Sequence, residues 1–221
     1  MSLPERFEKI KAEIASALQV ACRTDSVTLI AVSKVQPVEA ILELYKLGQR
    51  DFGENYVQEL VEKAEYCHAF GIKDIRWHFI GHLQRNKVKQ LVPFVSSIQS
   101  VDSLRLAEEI SKRCKEQRET ALPIFLSVNI DDEDSKSGLA AADTASTCKK
   151  VSSLEGLELQ GLMCIPSPGS SKDAFARLGA LELKCRPYTH GKLSMGMSDD
   201  FSAAIAEGAT HIRVGTSLFK R

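Results

Sequence analysis

No stretch of the 221 residues approaches the ~20 consecutive apolar positions that a membrane-spanning helix needs. Neither charge dominates: 29 basic and 29 acidic side chains leave a formal net charge of +0. No overall field therefore draws the chain to nucleic acid or to a membrane surface. The first residues, MSLPERFEKIKAEI, are charged and contain no apolar h-region, so no secretory signal is expected. The six cysteines, Cys22, Cys67, Cys114, Cys148, Cys164 and Cys185, include no CxxC pair and no Cys/His metal spacing. Free thiols in a reducing compartment follow. The expected location is cytoplasmic, with mitochondrial association left open. No linker or internal sequence repeat is evident, and no GxGxxG follows the first strand, which argues against a dinucleotide site.

The chain does have apolar runs of strand length alternating with amphipathic stretches. Hydrophobic residues make up 43%, enough for a sizeable core. Phe7, Ile10, Ile14 and Leu18 recur at helical spacing after Ser2, a candidate cap, and Pro4. Strand patterns fall near 27–32, 50–53, 76–80, 97–101, 123–129, 158–164, 192–196 and 211–214. Each of the first seven precedes a helical pattern, including HLQRNKVKQLV (82–92) and SDDFSAAIAEG (198–208). Strict βα alternation implies parallel strands. Eight units predict an α/β fold of the (β/α)8 TIM barrel type, one domain over residues 1–221 with an N-terminal helix. A doubly wound open sheet is the competing architecture.

In such a barrel the chemistry lies at the C-terminal strand ends. In TLIAVSKVQP the first strand stops at Ser33-Lys34. A lysine there is either solvated or a partly desolvated amine, and burial would favour its neutral, nucleophilic form. In RVGTSLF, Gly215 lets backbone approach a ligand, and Thr216-Ser217 can open a short helix whose N–H groups suit phosphate. Ser194 and Ser198, from strand seven, could add hydroxyl donors. The plain alternative is a solvated glycine turn. Taken with Lys34, the pattern points to an aldehyde that bears a phosphate.

The segments AVSK, FGENYVQE, WHFIGHLQRNK, GLMCI, LSMGMSDDF and RVGTSLF run in order from about residue 27 to 219. Together they resemble the pyridoxal phosphate homeostasis protein family. The resemblance implies an alanine racemase-like, fold-type III barrel that binds pyridoxal 5'-phosphate (PLP). It implies a Schiff-base lysine at Lys34 and phosphate contacts from Ser198, Gly215 and Thr216, with Ser194 as a further contact. By analogy with the racemase barrel, Arg213 faces the pyridine nitrogen. Asn55 and His82 would line the pocket near the ring; for His82 a purely structural role has equal weight. Met195 and Met197 are either against the ring or in the core. One departure stands out: Lys220 replaces the glycine usual in the family's ending, which bears on the final turn.

Two classes of function compete. A binding module would hold PLP on Lys34 and buffer it or pass it to PLP-dependent apoenzymes in vitamin B6 homeostasis. An enzyme, such as an amino acid racemase, would need a second acid/base opposite Lys34. In racemases that group is a tyrosine from an additional β domain, which this chain is expected to lack. Of its tyrosines only Tyr56 falls near the mouth. The carrier is the favoured reading, as a monomer. A phosphosugar aldolase would use the same lysine, but only Glu54 and Asp199 offer carboxylates near the strand ends.

Overall fold

The alternating pattern becomes a ring of parallel strands wrapped by helices in the computed structural model, which describes residues 1–133, 136–167 and 169–219. Lys220, and with it the departure at the chain's ending, lies outside the described residues, as do Asp134, Ser135 and Pro168 in two of the loops. The strands are β1 (Thr28–Val32), β2 (Asp51–Glu54), β3 (Arg76–Phe79), β4 (Ser97–Val101), β5 (Leu122–Asn129), β6 (Leu139–Ala140), β7 (Leu157–Met163), β8 (Lys192–Met197) and β9 (His211–Val214). The sheet runs β4-β3-β2-β1-β9-β8-β7-β5, and β4 also pairs with β5. That pairing closes the barrel and removes the open doubly wound sheet from consideration. Every pairing is parallel. β6 is a two-residue strand along the end of β5, too short to leave a pattern in the sequence.

The helices are α1 (Leu3–Val20), α2 (Val38–Lys46), α3 (Val57–Ala69), α4 (Val88–Leu91), α5 (Leu104–Gln117), α6 (Ala141–Val151), α7 (Ser171–Cys185), α8 (Phe201–Ala206) and α9 (Thr216–Phe219). α1 starts with a capping box: the Glu5 N–H donates to Ser2 Oγ and the Ser2 N–H donates to Glu5 Oε2. Its Phe7, Ile10 and Ile14 are buried, and it packs on α2, α8 and α9. Arg6 Nε donates to the Leu218 carbonyl at 2.6 Å, so the first helix is tied to the last turn. No helix among the described residues is long and apolar enough to cross a membrane. All six cysteines are free thiols, five of them buried.

Two helices are shorter than the periodicity predicts. Residues 82–84 are not helical; a 3-10 turn at Arg85–Lys87 leads into the four residues of α4. Leu83, Val88, Leu91 and Val92 are all buried, which explains the helical-looking spacing. The chain must first pass close over β2. A Cβ on Gly81 would lie 2.1 Å from the Asn55 carbonyl oxygen, so backbone packs on backbone there. α8 starts only at Phe201, because the Asp200 carboxylate accepts the Met197 N–H at 2.6 Å and holds residues 197–200 as a turn.

Strand alternation sorts side chains into two sets. Ala31, Phe52, Trp77, Phe79, Ile98, Leu126, Met195, Ile212 and Val214 join the shell between strands and helices. The inward positions are mixed: Ile30 and Phe125 are apolar, whereas His78, Gln99, Ser194 and Arg213 are buried and polar. At the N-terminal mouth Asp51 accepts from His78 Nε2 at 2.9 Å and from Arg76 Nε at 2.7 Å. Burial alone would raise the Asp51 carboxyl; the hydrogen bonds from His78 and Arg76 outweigh it and hold the group down at about 2. A carboxyl lowered in the folded state stabilises the fold above its unfolded value and loses that contribution as pH falls. Asp51→Asn is expected to cost on the order of 1–3 kcal/mol at neutral pH. It should also flatten the decline in stability between pH 3.8 and about 2. Urea midpoints across that range test this; parallel curves for variant and parent would contradict it.

Candidate functional site

The C-terminal mouth is built on the turn that follows β1. Ser33 is buried, Lys34 and Val35 are exposed, and the Gln36 N–H closes the turn on the Ser33 carbonyl at 3.0 Å. Val35 has φ +57, the left-handed region that β-branched residues avoid. Positive φ at the third position is the type II pattern. Such a conformation persists only where the surroundings enforce it, and here three charged side chains do so. Lys63, on α3, donates to the Ser33 carbonyl at 2.7 Å, to Glu54 at 2.8 Å and to Glu59 at 2.6 Å. Glu59 in turn accepts the Val35 N–H at 2.6 Å, and Glu54 accepts the Ser33 hydroxyl at 2.7 Å. Burial pushes the Glu54 carboxyl above the ordinary glutamate range, against the opposing pull of Lys63 and Ser33. Its Oε2 has no hydrogen-bond partner among the described residues. The cluster clamps the turn from beneath, so the backbone carrying Lys34 has one conformation while the lysine side chain reaches into the mouth.

The adjoining wall comes from β8 and β9. Their register slips between Ser194 and Met197, a bulge centred on Gly196 with φ +90. The bulge breaks the alternation: Ser194 and Met195 are fully buried, while Met197 and Ser198 come up to the mouth. Ser198 Oγ accepts the Ser217 N–H at 3.2 Å, joining the loop after β8 to the first turn of α9. Arg213 is only 4% exposed. It donates from one amino group to Ser194 Oγ at 2.6 Å and from the other to the Cys164 carbonyl at 2.8 Å. Complete burial pulls its guanidinium below the usual arginine range, although arginine keeps its charge in proteins.

Between these walls lies a cavity of about 450 Å³. It brings together Lys34, Asn55, Met197, Ser198, Arg213, Gly215 and Thr216, seven of the ten residues that the sequence placed at or near the ring and phosphate. Three fall elsewhere. Ser194 lies beneath the cavity, where its hydroxyl donates to Gln99 Oε1 at 2.7 Å and accepts from Arg213 at 2.6 Å. Met195 points into the shell behind the barrel, as alternation from Ser194 requires. His82 is exposed, 3.4 Å from Asp102, on a neighbouring cavity of about 220 Å³. The two cavities share Ile80 and Ile165. Lys34 is itself an exposed residue, so the partial desolvation expected of its amine is not supplied by this chain alone. Ile80, Ile165 and Phe219 also line the mouth. They escaped sequence reading because an apolar residue just past a strand, as Ile80 and Ile165 are, or in a short helix, as Phe219 is, looks the same whether it faces a ligand or the core. Of the carboxylates, Asp199 lines the rim and Glu54 faces Lys63.

An amine on one wall, a buried guanidinium on a second, and hydroxyl and backbone donors on a third form a donor set suited to a flat, phosphate-bearing aldehyde. The comparisons agree in kind. The sequence profile of the alanine racemase N-terminal domain family matches residues 7–221. The pyridoxal phosphate homeostasis protein of Pseudomonas aeruginosa is 42% identical, with 99% of this chain and 95% of that protein covered. Its namesake in Escherichia coli K12 is 41% identical, covering 93% and 90%. The solved structure of PipY from Synechococcus elongatus with PLP bound superposes at TM-score 0.86 and 35% identity, covering 99% and 100%. An alanine racemase of Clostridium difficile shares the fold at TM-score 0.73 and 14% identity, and this chain covers 56% of it.

Removing one member of a buried ion cluster leaves the others unpaired, which costs about 3–5 kcal/mol. Lys63→Met should therefore destabilise the protein by that order at neutral pH. The loss should shrink in acid, where the raised Glu54 carboxyl takes up a proton and no longer needs a cation. Chemical denaturation at pH 5 and pH 8 measures it; an equal loss at both would sink the account of the clamp.

Proposed function

This chain belongs to the alanine racemase N-terminal domain family and, within it, to the pyridoxal phosphate homeostasis proteins; on that footing we propose that it binds PLP at the C-terminal mouth, holds it covalently on Lys34 and carries it without catalytic turnover. The observation that supports this most is the convergence of Lys34, Arg213, Ser198, Gly215 and Thr216 on one cavity. When bound, PLP supplies an aldehyde, a phosphate and a pyridine ring. Lys34 would hold the cofactor by its amine, since an aldehyde condenses reversibly with an amine and releases one water. Ser198, Thr216 and the backbone around Gly215 offer donors to the phosphate, and Asn55 takes a place beside the ring.

Arg213 takes the side of the pyridine nitrogen. A guanidinium does not surrender its proton at physiological pH, so it leaves the ring a poorer electron sink than a carboxylate partner would. That suits storage better than turnover. Among the described residues no tyrosine lines the cavity, and Tyr56 is 59% exposed outside it, which favours carriage over two-base racemisation. Reversible attachment keeps a reactive aldehyde away from other amines until an apoenzyme takes it. In this reading the chain acts as a monomer in the cytoplasm.

The test begins with the absorbance spectrum of purified protein given PLP, before and after borohydride, followed by mass spectrometry of the Lys34 peptide. A visible band that borohydride abolishes, with the reduced adduct on Lys34, is expected. Lys34→Ala should lose the adduct and keep weaker, reversible binding. A colourless protein that takes up no PLP would overturn the reading. Racemisation of amino acids faster than free PLP alone would overturn carriage and favour the racemase.

A further inference from the structure

Arg213 stands at the upper end of an unbroken column of hydrogen bonds that descends through the barrel to the opposite mouth. Arg213 donates to Ser194 Oγ at 2.6 Å, and Ser194 donates to Gln99 Oε1 at 2.7 Å. Gln99 Nε2 lies 3.3 Å from His78 Nδ1, and His78 Nε2 lies 2.9 Å from Asp51 Oδ1. All five side chains are buried.

The ends of the column dictate its direction. An arginine side chain has only donors, so Ser194 must accept from it and pass its own hydrogen to Gln99. That fixes the Gln99 amide with its oxygen toward Ser194 and its NH2 toward His78. The Asp51 carboxyl, held down at about 2, is an acceptor only. His78 then carries a hydrogen on Nε2, and its Nδ1 faces both the Ser97 hydroxyl at 2.7 Å and the Gln99 NH2 at 3.3 Å. Every donor points from the C-terminal mouth toward the N-terminal mouth. Aligned hydrogen bonds polarise one another, and reversing the Ser194–Gln99 link would leave the Arg213 donor without its acceptor.

We propose that Ser194 and Gln99 are positioning residues for the cofactor: the one-directional column from Arg213 to Asp51 sets the plane of the Arg213 guanidinium and so the face it turns to the ring. The proposal rests on PLP binding at the mouth, but the aim of Arg213 belongs to the chain itself and is measurable without the cofactor. Ser194 enters as a support for Arg213, not as a phosphate ligand.

The experiment compares the parent protein with Gln99→Leu, Gln99→Glu and Ser194→Ala. In cofactor-free protein, NMR follows hydrogen exchange of the Arg213 guanidinium N–H groups. With PLP added, affinity, the position of the visible band and its pH profile are recorded. Gln99→Leu and Ser194→Ala should speed the exchange. They should weaken PLP by roughly tenfold, the equivalent of about one hydrogen bond, and shift the band or its pH profile. Gln99→Glu keeps an acceptor for Ser194 but removes the donor that faces His78 Nδ1, so its exchange and band should fall between those of Gln99→Leu and the parent, which a merely space-filling role for Gln99 would not produce. Should Gln99→Leu fail to fold, Ser194→Ala carries the comparison alone. Unchanged Arg213 exchange in the folded variants overturns the proposal whether or not PLP binds. A parent protein with slow Arg213 exchange but no PLP uptake would instead overturn the proposed function and leave the column standing.

Discussion

Closure of the sheet between β4 and β5 is the constraint on which the rest of the molecule depends. A closed parallel barrel has no sheet edge, and all its strands deliver their C-terminal ends to one mouth. Residues as distant in sequence as Lys34, Asn55 and Arg213 are thereby brought around one cavity. The helices hold the ring from outside, and α1 is fastened to the final turn through Arg6. The mouth therefore inherits the rigidity of the whole barrel, while its rim remains open to small molecules.

Two buried polar systems stand against the otherwise apolar packing. One lies outside the ring, where Lys63 gathers Glu54, Glu59 and the Ser33 carbonyl under the turn that carries Lys34. The other lies along the axis, from Arg213 down to Asp51. Burying charge is costly unless each group finds partners. Both systems nearly satisfy their members, Glu54 Oε2 being left over. One supports the turn that carries Lys34 and the other ends at Arg213, and both residues line the cavity. This placement gives the costly burial a physical rationale: an exposed lysine and a buried arginine are held in fixed relation to each other across an open mouth.

Much of the fold was legible in the chain. Eight strands, their order and the capping of α1 follow from apolar periodicity and local chemistry, because burial repeats every second residue in strands and every third or fourth in helices. The same signal misled at residues 82–92, where Leu83, Val88, Leu91 and Val92 keep helical spacing although only α4 and a single 3-10 turn are helical. Periodicity reports which side chains are buried, and a loop crossing Gly81 and Asn55 can bury them as well as a helix can.

For the site, the sequence by itself determined the chemical groups and the strand ends that bear them: Lys34, Asn55, Ser198, Arg213, Gly215 and Thr216 reach one cavity because parallel strands end together. Only the tertiary structure decided which neighbours turn away. The bulge at Gly196 separates the buried Ser194 and Met195 from Met197 and Ser198 at the mouth, and the path after β3 carries His82 to the adjoining cavity. Nor could the spacing of Arg213, Ser194, Gln99, His78 and Asp51 have revealed their column, since its links join five different strands. A hydrogen bond between inward-facing side chains depends on the register and shear of the closed sheet, and those are properties of the ring as a whole rather than of any one segment.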